Sequence, residues 1–266
     1  MDLELAGKVA IVTGGSRGIG KAIALELGRE GADLVICARD RPALDATAAE
    51  LAAESGRKVA QISVDVRDRK QVDAAVEQAV AEFGRVDILV NSAGQPGGLA
   101  AGPLPQVEDD AIAEDFNAKT FGTLRFCRAV APHMQRQGWG RIVNIGGLSA
   151  RQPGTYSTGM RNIAIAHMTR TLSAELAGAG ITVNIVHPGM TRTDWARERW
   201  AEDAARRGIT PEEAESQAGE RTLIGRVVDA REVAYVVTFL ASTKAAAISG
   251  EVIGVGGGEP ARSLFL

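Results

Sequence analysis

One eight-residue stretch, TGGSRGIG from Thr13 to Gly20, restricts this chain more than any other. It follows a short apolar run, Val9 to Val12, and opens a segment of helical composition that reaches about Glu30 before Gly31. Gly14 permits a sharp strand-to-helix turn, Gly18 lets the backbone approach a pyrophosphate, and Gly20 permits close helix–strand packing. The free N–H groups at the start of that helix, with the positive end of its dipole, then form an anion site. A second apolar run, Asp33 to Cys37, follows at βαβ spacing. That context favours a dinucleotide-phosphate loop over a plain glycine turn.

At 266 residues and 45% hydrophobic content the chain can bury a full core, and residues 1–266 read as one large α/β domain. The net charge of -3 gives no general attraction for nucleic acid or an anionic membrane, so a small molecule is the expected partner. Cys37 and Cys127 form neither a disulfide framework nor a zinc spacing, which fits a reducing cytoplasmic setting. The start, MDLELAGK, lacks the basic residues and apolar run of a signal peptide, and no apolar stretch is long enough to span a bilayer. The three histidines are far apart, without a cluster of acids or cysteines, and read as packing or surface residues instead of metal ligands.

Strand and helix patterns then alternate. Asp40 and Asp68 are positioned to cap two helices, each followed by an apolar stripe and stopped by Gly56 or Gly84. A fourth strand, Val86 to Val90, carries Asn91, Ser92, Ala93 and Gly94 at its end, where open parallel sheets place their ligands. A glycine- and proline-rich loop leads to a long helix, about Asp109 to Gln137, on which Ile112, Phe116, Lys119, Thr123, Val130 and Met134 share one side. Lys119 is out of place in that stripe. Further strands are expected at Arg141 to Ile145, Thr182 to His187 and Glu251 to Val255, with a helix from about Thr155 to Ala177 between the first two. Residues 190–227 are strongly charged and read as a lid, with a helix start at Thr210-Pro211, and Asp229 caps a last helix. The absence of adjacent hairpin strands predicts a single doubly wound parallel α/β sheet of seven strands with helices on both faces.

These residues resemble the short-chain dehydrogenase/reductase family over nearly the whole chain. TGGSRGIG is similar to that family's TGxxxGIG loop, NSAG at Asn91 to Gly94 to its NNAG, VNIVHPG at Val183 to Gly189 to its VNxxxPG, and SGEVIGVGGG to its closing TGxxxxVDGG strand. The resemblance implies a seven-stranded Rossmann-type sheet, a nicotinamide cofactor, hydride transfer to or from a carbonyl or alcohol, and a homodimer or homotetramer packed through the two long central helices. It assigns Gly14, Ser16, Arg17, Gly18, Ile19 and Gly20 to the phosphates, Asp65 and Val66 to adenine, Asn91, Ala93 and Gly94 to the strand-end lining, and Pro188, Gly189, Thr191 and Thr193 to the carboxamide end of nicotinamide.

The choice between cofactors follows from charge. A carboxylate at the end of the second strand would bind a ribose diol and repel a 2′-phosphate, whereas guanidinium groups pair with phosphate. That end reads CARD, with Ala38 in the acid's place and Arg39 beside it. Together with Arg17 it favours NADP(H); Asp40, with both arginines as solvated surface charges, is the alternative that leaves NAD(H).

The family's proton relay is a tyrosine with a lysine four residues on, plus a serine and an asparagine, because a nearby cation favours the tyrosinate. This chain has no YxxxK: Tyr156 is followed at the fourth place by Met160. Aligning the following helix puts Thr158 and Asn162 at the tyrosine and lysine positions, Gly147 falls at the serine with Ser149 two residues on, and Lys119 stands where asparagine is expected. An inward lysine must reach the cleft or pair with an acid. Lys119, Tyr156 and Ser149 are therefore the candidate catalytic residues, Lys119 supplying the cation and Tyr156 or Ser149 relaying the proton. The alternative makes them a snorkelling lysine, a packing tyrosine and a turn hydroxyl, and the chain a non-catalytic NADP(H)-binding sensor or assembly protein.

Overall fold

The computed structural model describes residues 1–100 and 102–258. In chain order these form β1 (Val9–Thr13), α1 (Gly18–Arg29), β2 (Asp33–Ala38), α2 (Arg41–Ser55), β3 (Val59–Ser63), α3 (Arg69–Phe83), β4 (Ile88–Asn91), α4 (Asp109–Phe116), α5 (Gly122–Gln137), β5 (Gly140–Ile145), α6 (Tyr156–Leu176), β6 (Ile181–Pro188), β7 (Thr191–Arg192), α7 (Asp194–Arg207), α8 (Pro211–Gly219), β8 (Val228–Asp229), α9 (Ala230–Leu240) and β9 (Val252–Val255). Seven strands make one parallel sheet, as the alternating pattern predicts, and the structure sets their order as β3-β2-β1-β4-β5-β6-β9.

Alternate strand residues feed opposite layers, because successive side chains of a strand point to opposite faces. Ala10, Val12, Leu34, Ile36 and Val90 join one core with α1, α2 and α9. Val9, Ile11, Val35, Cys37 and Leu89 join the other with α3, α5 and the end of α6. Strand order reverses between β1 and β4, so the crevice for a ligand opens beyond the carboxyl ends of those two strands.

The caps read from sequence are present. Asp40 accepts from the Ala43 N–H, Asp68 from Lys70 and Gln71, and Thr210 and Asp229 each close a reciprocal capping box with a glutamate. Three features lie outside the sequence expectation. β7 and β8 pair as a separate two-stranded ribbon that ties the two ends of residues 190–227 together, and α7 with α8 build a small core of their own around Trp200. The expected long helix is interrupted by a π-helical turn, Asn117–Phe121. Among the described residues no helix is long and apolar enough to cross a membrane.

Candidate active site

The glycine loop is shaped by close approach. A Cβ on Gly20 would lie 2.2 Å from the Gly14 carbonyl oxygen, and one on Gly14, at φ +66, would lie 2.9 Å from Ala93 Cα. Thr13 Oγ1 accepts from the Ser92 and Ala93 N–H groups at 3.0 and 3.1 Å, so the ends of β1 and β4 are held as one unit. At the start of α1, Arg17 occupies the capping position without a side-chain hydrogen bond, unlike the capped starts of α2, α3 and α7. The leading N–H groups of α1 are thus left to an outside acceptor, which is what a pyrophosphate requires. Ser16 is half-buried, its carbonyl accepting from Thr47, and Ile19 is seated against the core.

Arg17 and Arg39 are exposed at the rim of this loop. Asp65 pairs with Arg67 at 2.5 Å, and Arg67 in turn reaches Glu114. Hydrogen bonding from Arg67 holds the Asp65 carboxyl below the usual carboxylate range, and the charge of nearby Arg39 adds to the effect. Val66 lies against Gly122, where a Cβ would come within 3.0 Å of it.

Across the crevice, Gly189 donates its N–H to the Val255 carbonyl at 3.0 Å just beyond Pro188, and Thr191 Oγ1 donates to the Gly189 carbonyl. Thr193 caps α7 through Ala196, and its methyl would be 3.6 Å from a Cβ on Gly18. Trp195, two residues on, lies over Gly97. The first turn of α7 therefore bridges the phosphate loop and the loop after β4, as a lid would. Asn91 donates to Asn144 at 2.9 Å, while its own Oδ1 is buried without a partner.

Lys119 is 5% exposed, and its stem fills the space beside Gly94: a Cβ there would lie 2.6 Å from Lys119 Cδ and 3.3 Å from Nζ. Its ammonium reaches the carboxyl end of β4 without an acid within 4.0 Å among the described residues. Burial pushes its pKa down to about 7; the Arg161 guanidinium adds to this and Asp115 opposes it. Asn117 is turned aside, its Oδ1 accepting from Arg125 at 3.0 Å.

The other candidates are divided. Ser149 is half-buried and its Oγ accepts from Asn162 at 3.0 Å, so these two stand together. Tyr156 begins α6 at 41% exposure, and no hydrogen bond joins it to Ser149 or Lys119. Thr158 is buried and bonded to Thr155. His187 lies inside the crevice, where its Nδ1 accepts from the Gly147 N–H at 2.7 Å. Burial first, then the positive charges of Arg151 and Lys119, lower its pKa to about 4, so it is neutral with the proton on Nε2. A buried ion pair between Arg161 and Asp115 completes the floor. The sequence reading missed that pair; its only signal was an acid four residues before Lys119.

Among the described residues no group of three or more histidine, cysteine or carboxylate side chains is placed to hold a metal. The family model described as enoyl-(acyl carrier protein) reductase matches residues 14–259. The short-chain reductase protein NovJ of Streptomyces niveus is 37% identical over 95% of this chain and 94% of its own. The L-sorbose reductase of Gluconobacter frateurii, solved with NADPH and L-sorbose, superposes with a TM-score of 0.93 at 30% identity, covering 97% of this chain and 98% of that one. An NAD+-bound xylitol dehydrogenase superposes at 0.87 with 28% identity, over 96% of this chain and 100% of that one.

Proposed function

Because the chain belongs to the short-chain dehydrogenase/reductase family, we propose that it is an NADP(H)-dependent oxidoreductase that interconverts a small carbonyl compound and its alcohol, with Lys119 as the proton donor. The observation that carries this reading is a buried lysine at the carboxyl end of β4 with no acid partner among the described residues. An ammonium in such a place is costly unless it is used.

A nicotinamide cofactor held along the crevice would supply hydride to the carbonyl carbon. The chain's own residues do the remainder. The N–H groups opening α1 would hold the diphosphate, and Thr193 with the first turn of α7 would cover it. Ser149, whose oxygen already accepts from Asn162, has its hydroxyl hydrogen free to donate to the carbonyl oxygen. Lys119 gives its proton to that oxygen as charge develops there, and the amine regains a proton from solvent. A lysine tuned close to neutrality suits this role. Reduction should therefore slow as pH rises through about 7, where the ammonium is lost, and alcohol oxidation should quicken over the same range. A pH-rate profile of kcat in both directions checks the pairing of signs.

Arg17 and Arg39 support the phosphorylated cofactor. Replacing both with alanine is expected to weaken NADPH binding by about 10- to 100-fold, the worth of one or two charge-assisted hydrogen bonds, and to leave NADH unchanged. Equal losses for both cofactors in a fluorescence titration would remove the preference.

A second reading, a nucleotide-binding sensor, is favoured by Gly147, Thr158 and Asn162 at the family's serine, tyrosine and lysine positions. NADPH oxidation across ketones, aldehydes, quinones and activated enones separates the two. Tight cofactor binding with no turnover on any of them favours the sensor.

A further inference from the structure

Lys119 and Asp115 are four residues apart on one helical rod, a separation at which acid and ammonium commonly pair. They do not pair here. Asp115, 1% exposed, is engaged through Oδ1 by Nη1 of Arg161, which reaches over from α6 and is itself 5% exposed. The second guanidinium nitrogen, Nη2, donates to the Gln95 carbonyl oxygen at 2.8 Å, fixing the loop that follows β4. Asp115 Oδ2 is buried and takes no hydrogen bond from the described residues, so the carboxylate has capacity to spare, and Lys119 still does not receive it.

We propose that Arg161 is a positioning residue which, by engaging Asp115, withholds the one carboxylate that Lys119 would otherwise pair with and leaves the amine facing the crevice. This rests on the reading of Lys119 as proton donor, though its test does not. Burial of a charged pair beneath a site would be an expensive way to brace a loop, since one guanidinium–carboxylate contact in a dry floor must offset two desolvation penalties. It is an effective way to set the state of a third group. The charges facing Lys119 are Asp115 on α4, Arg161 on α6 and neutral His187 on β6, with Arg151 beyond His187; the loop at Gly94 brings none. Of these, Arg161 disfavours the ammonium and Asp115 favours it.

Removing either partner should therefore move Lys119 in opposite directions. In Arg161→Met the freed carboxylate turns to Lys119, and the amine should titrate about one pH unit or more higher. In Asp115→Asn the attraction is lost while the guanidinium remains, and it should titrate lower. Arg161→Lys keeps the charge and should stay near the parent. The titration is followed on the cofactor-free protein by NMR of lysine labelled with 13C at Cε, without recourse to turnover. Where a single variant fails to fold, the double variant Asp115→Asn/Arg161→Met, which strands no charge, should titrate above the parent, because the larger influence, that of Arg161, is gone. Shifts of the same sign in the two single variants, or a double variant that does not rise, overturn the proposal. Opposite shifts in a protein that turns over no substrate uphold the positioning role and remove the catalytic reading.

Discussion

A Lys119→Met protein is expected to lose carbonyl reduction by about 10²- to 10⁴-fold, the contribution of a positioned general acid, while binding NADPH as before and gaining stability. Few substitutions at a working site should do both. Methionine matches the length of the buried stem and brings no charge, so the space beside Gly94 stays filled. The gain has a defined pH window. Lys119 holds its proton up to about 7 in the folded protein and would hold it to 10.5 when exposed. Between those values the unfolded chain binds more protons than the folded one, so the stability of the parent rises with pH across the window and falls back as pH drops to 7. A shift of that size corresponds to roughly 5 kcal/mol at its full extent. The variant should lose this slope and be the more stable protein at and below neutral pH. Urea unfolding from pH 6 to 10 measures one half of the prediction and steady-state turnover the other. Tyr156→Phe, on an exposed side chain, should change turnover by less than about threefold. A methionine variant that reduces carbonyls as fast as the parent would falsify the assignment of Lys119, and a large loss with Tyr156→Phe would return the proton to the tyrosine.

The second large effect belongs to Gly20. A side chain there has nowhere to go: its first carbon would sit 2.2 Å from the Gly14 carbonyl oxygen, a backbone atom just past β1 in a residue whose N–H is held by the Cys37 carbonyl at 2.7 Å. Gly20→Val should open the turn and raise the NADPH dissociation constant by at least about 100-fold, some 2.7 kcal/mol, with a clear loss of thermal stability. Gly56 offers the comparison. It ends α2 at φ +67 with nothing within 4 Å of a Cβ, so Gly56→Ala pays only the left-handed backbone penalty of about 1–2 kcal/mol and should leave NADPH affinity untouched. Calorimetric titration of both variants distinguishes damage to the anion cradle from general loss of fold; equal affinity in the valine variant and the parent would show that the cradle tolerates an open turn.

The phosphate loop, the helix caps and the parallel, seven-stranded sheet were legible because each depends on local rules: glycine where backbone approaches backbone, an acid or hydroxyl before a helix, short apolar strand runs alternating with helical stripes. The inward position of Lys119 was legible for a similar reason, since a regular helix carries it on the same side as Thr123, Val130 and Met134. The floor beneath it was not. In an uninterrupted α-helix Ile112 and Phe116 would continue that buried side, yet both are only partly buried and Asp115 lies at 1% exposure in their place. The π turn adds a residue to one helical turn and so rotates everything before it, and nothing in Asn117 to Phe121 announces it. Arg161 was hidden for a different reason. Its partner sits 46 residues away on another helix, and charge complementarity at that distance has no periodicity to reveal it.

That π turn makes chain length itself a control over chemistry. A helix carrying one surplus residue in a π turn can lose it and close into an unbroken α ladder with the residues upstream left on the face they already hold; the swing of about 100° comes only when the turn closes with every residue kept. Deleting a single codon within residues 117–121 would therefore leave Asp115 on the crevice floor, with the nucleotide loop, the sheet and α5 as they are, and would change how the turn presents Lys119. The turn can thus be gained or shed by one insertion or deletion with no substitution at the phosphate loop, and a count of residues between Asp115 and Gly122 becomes a marker for how Lys119 is presented that residue identity alone does not provide.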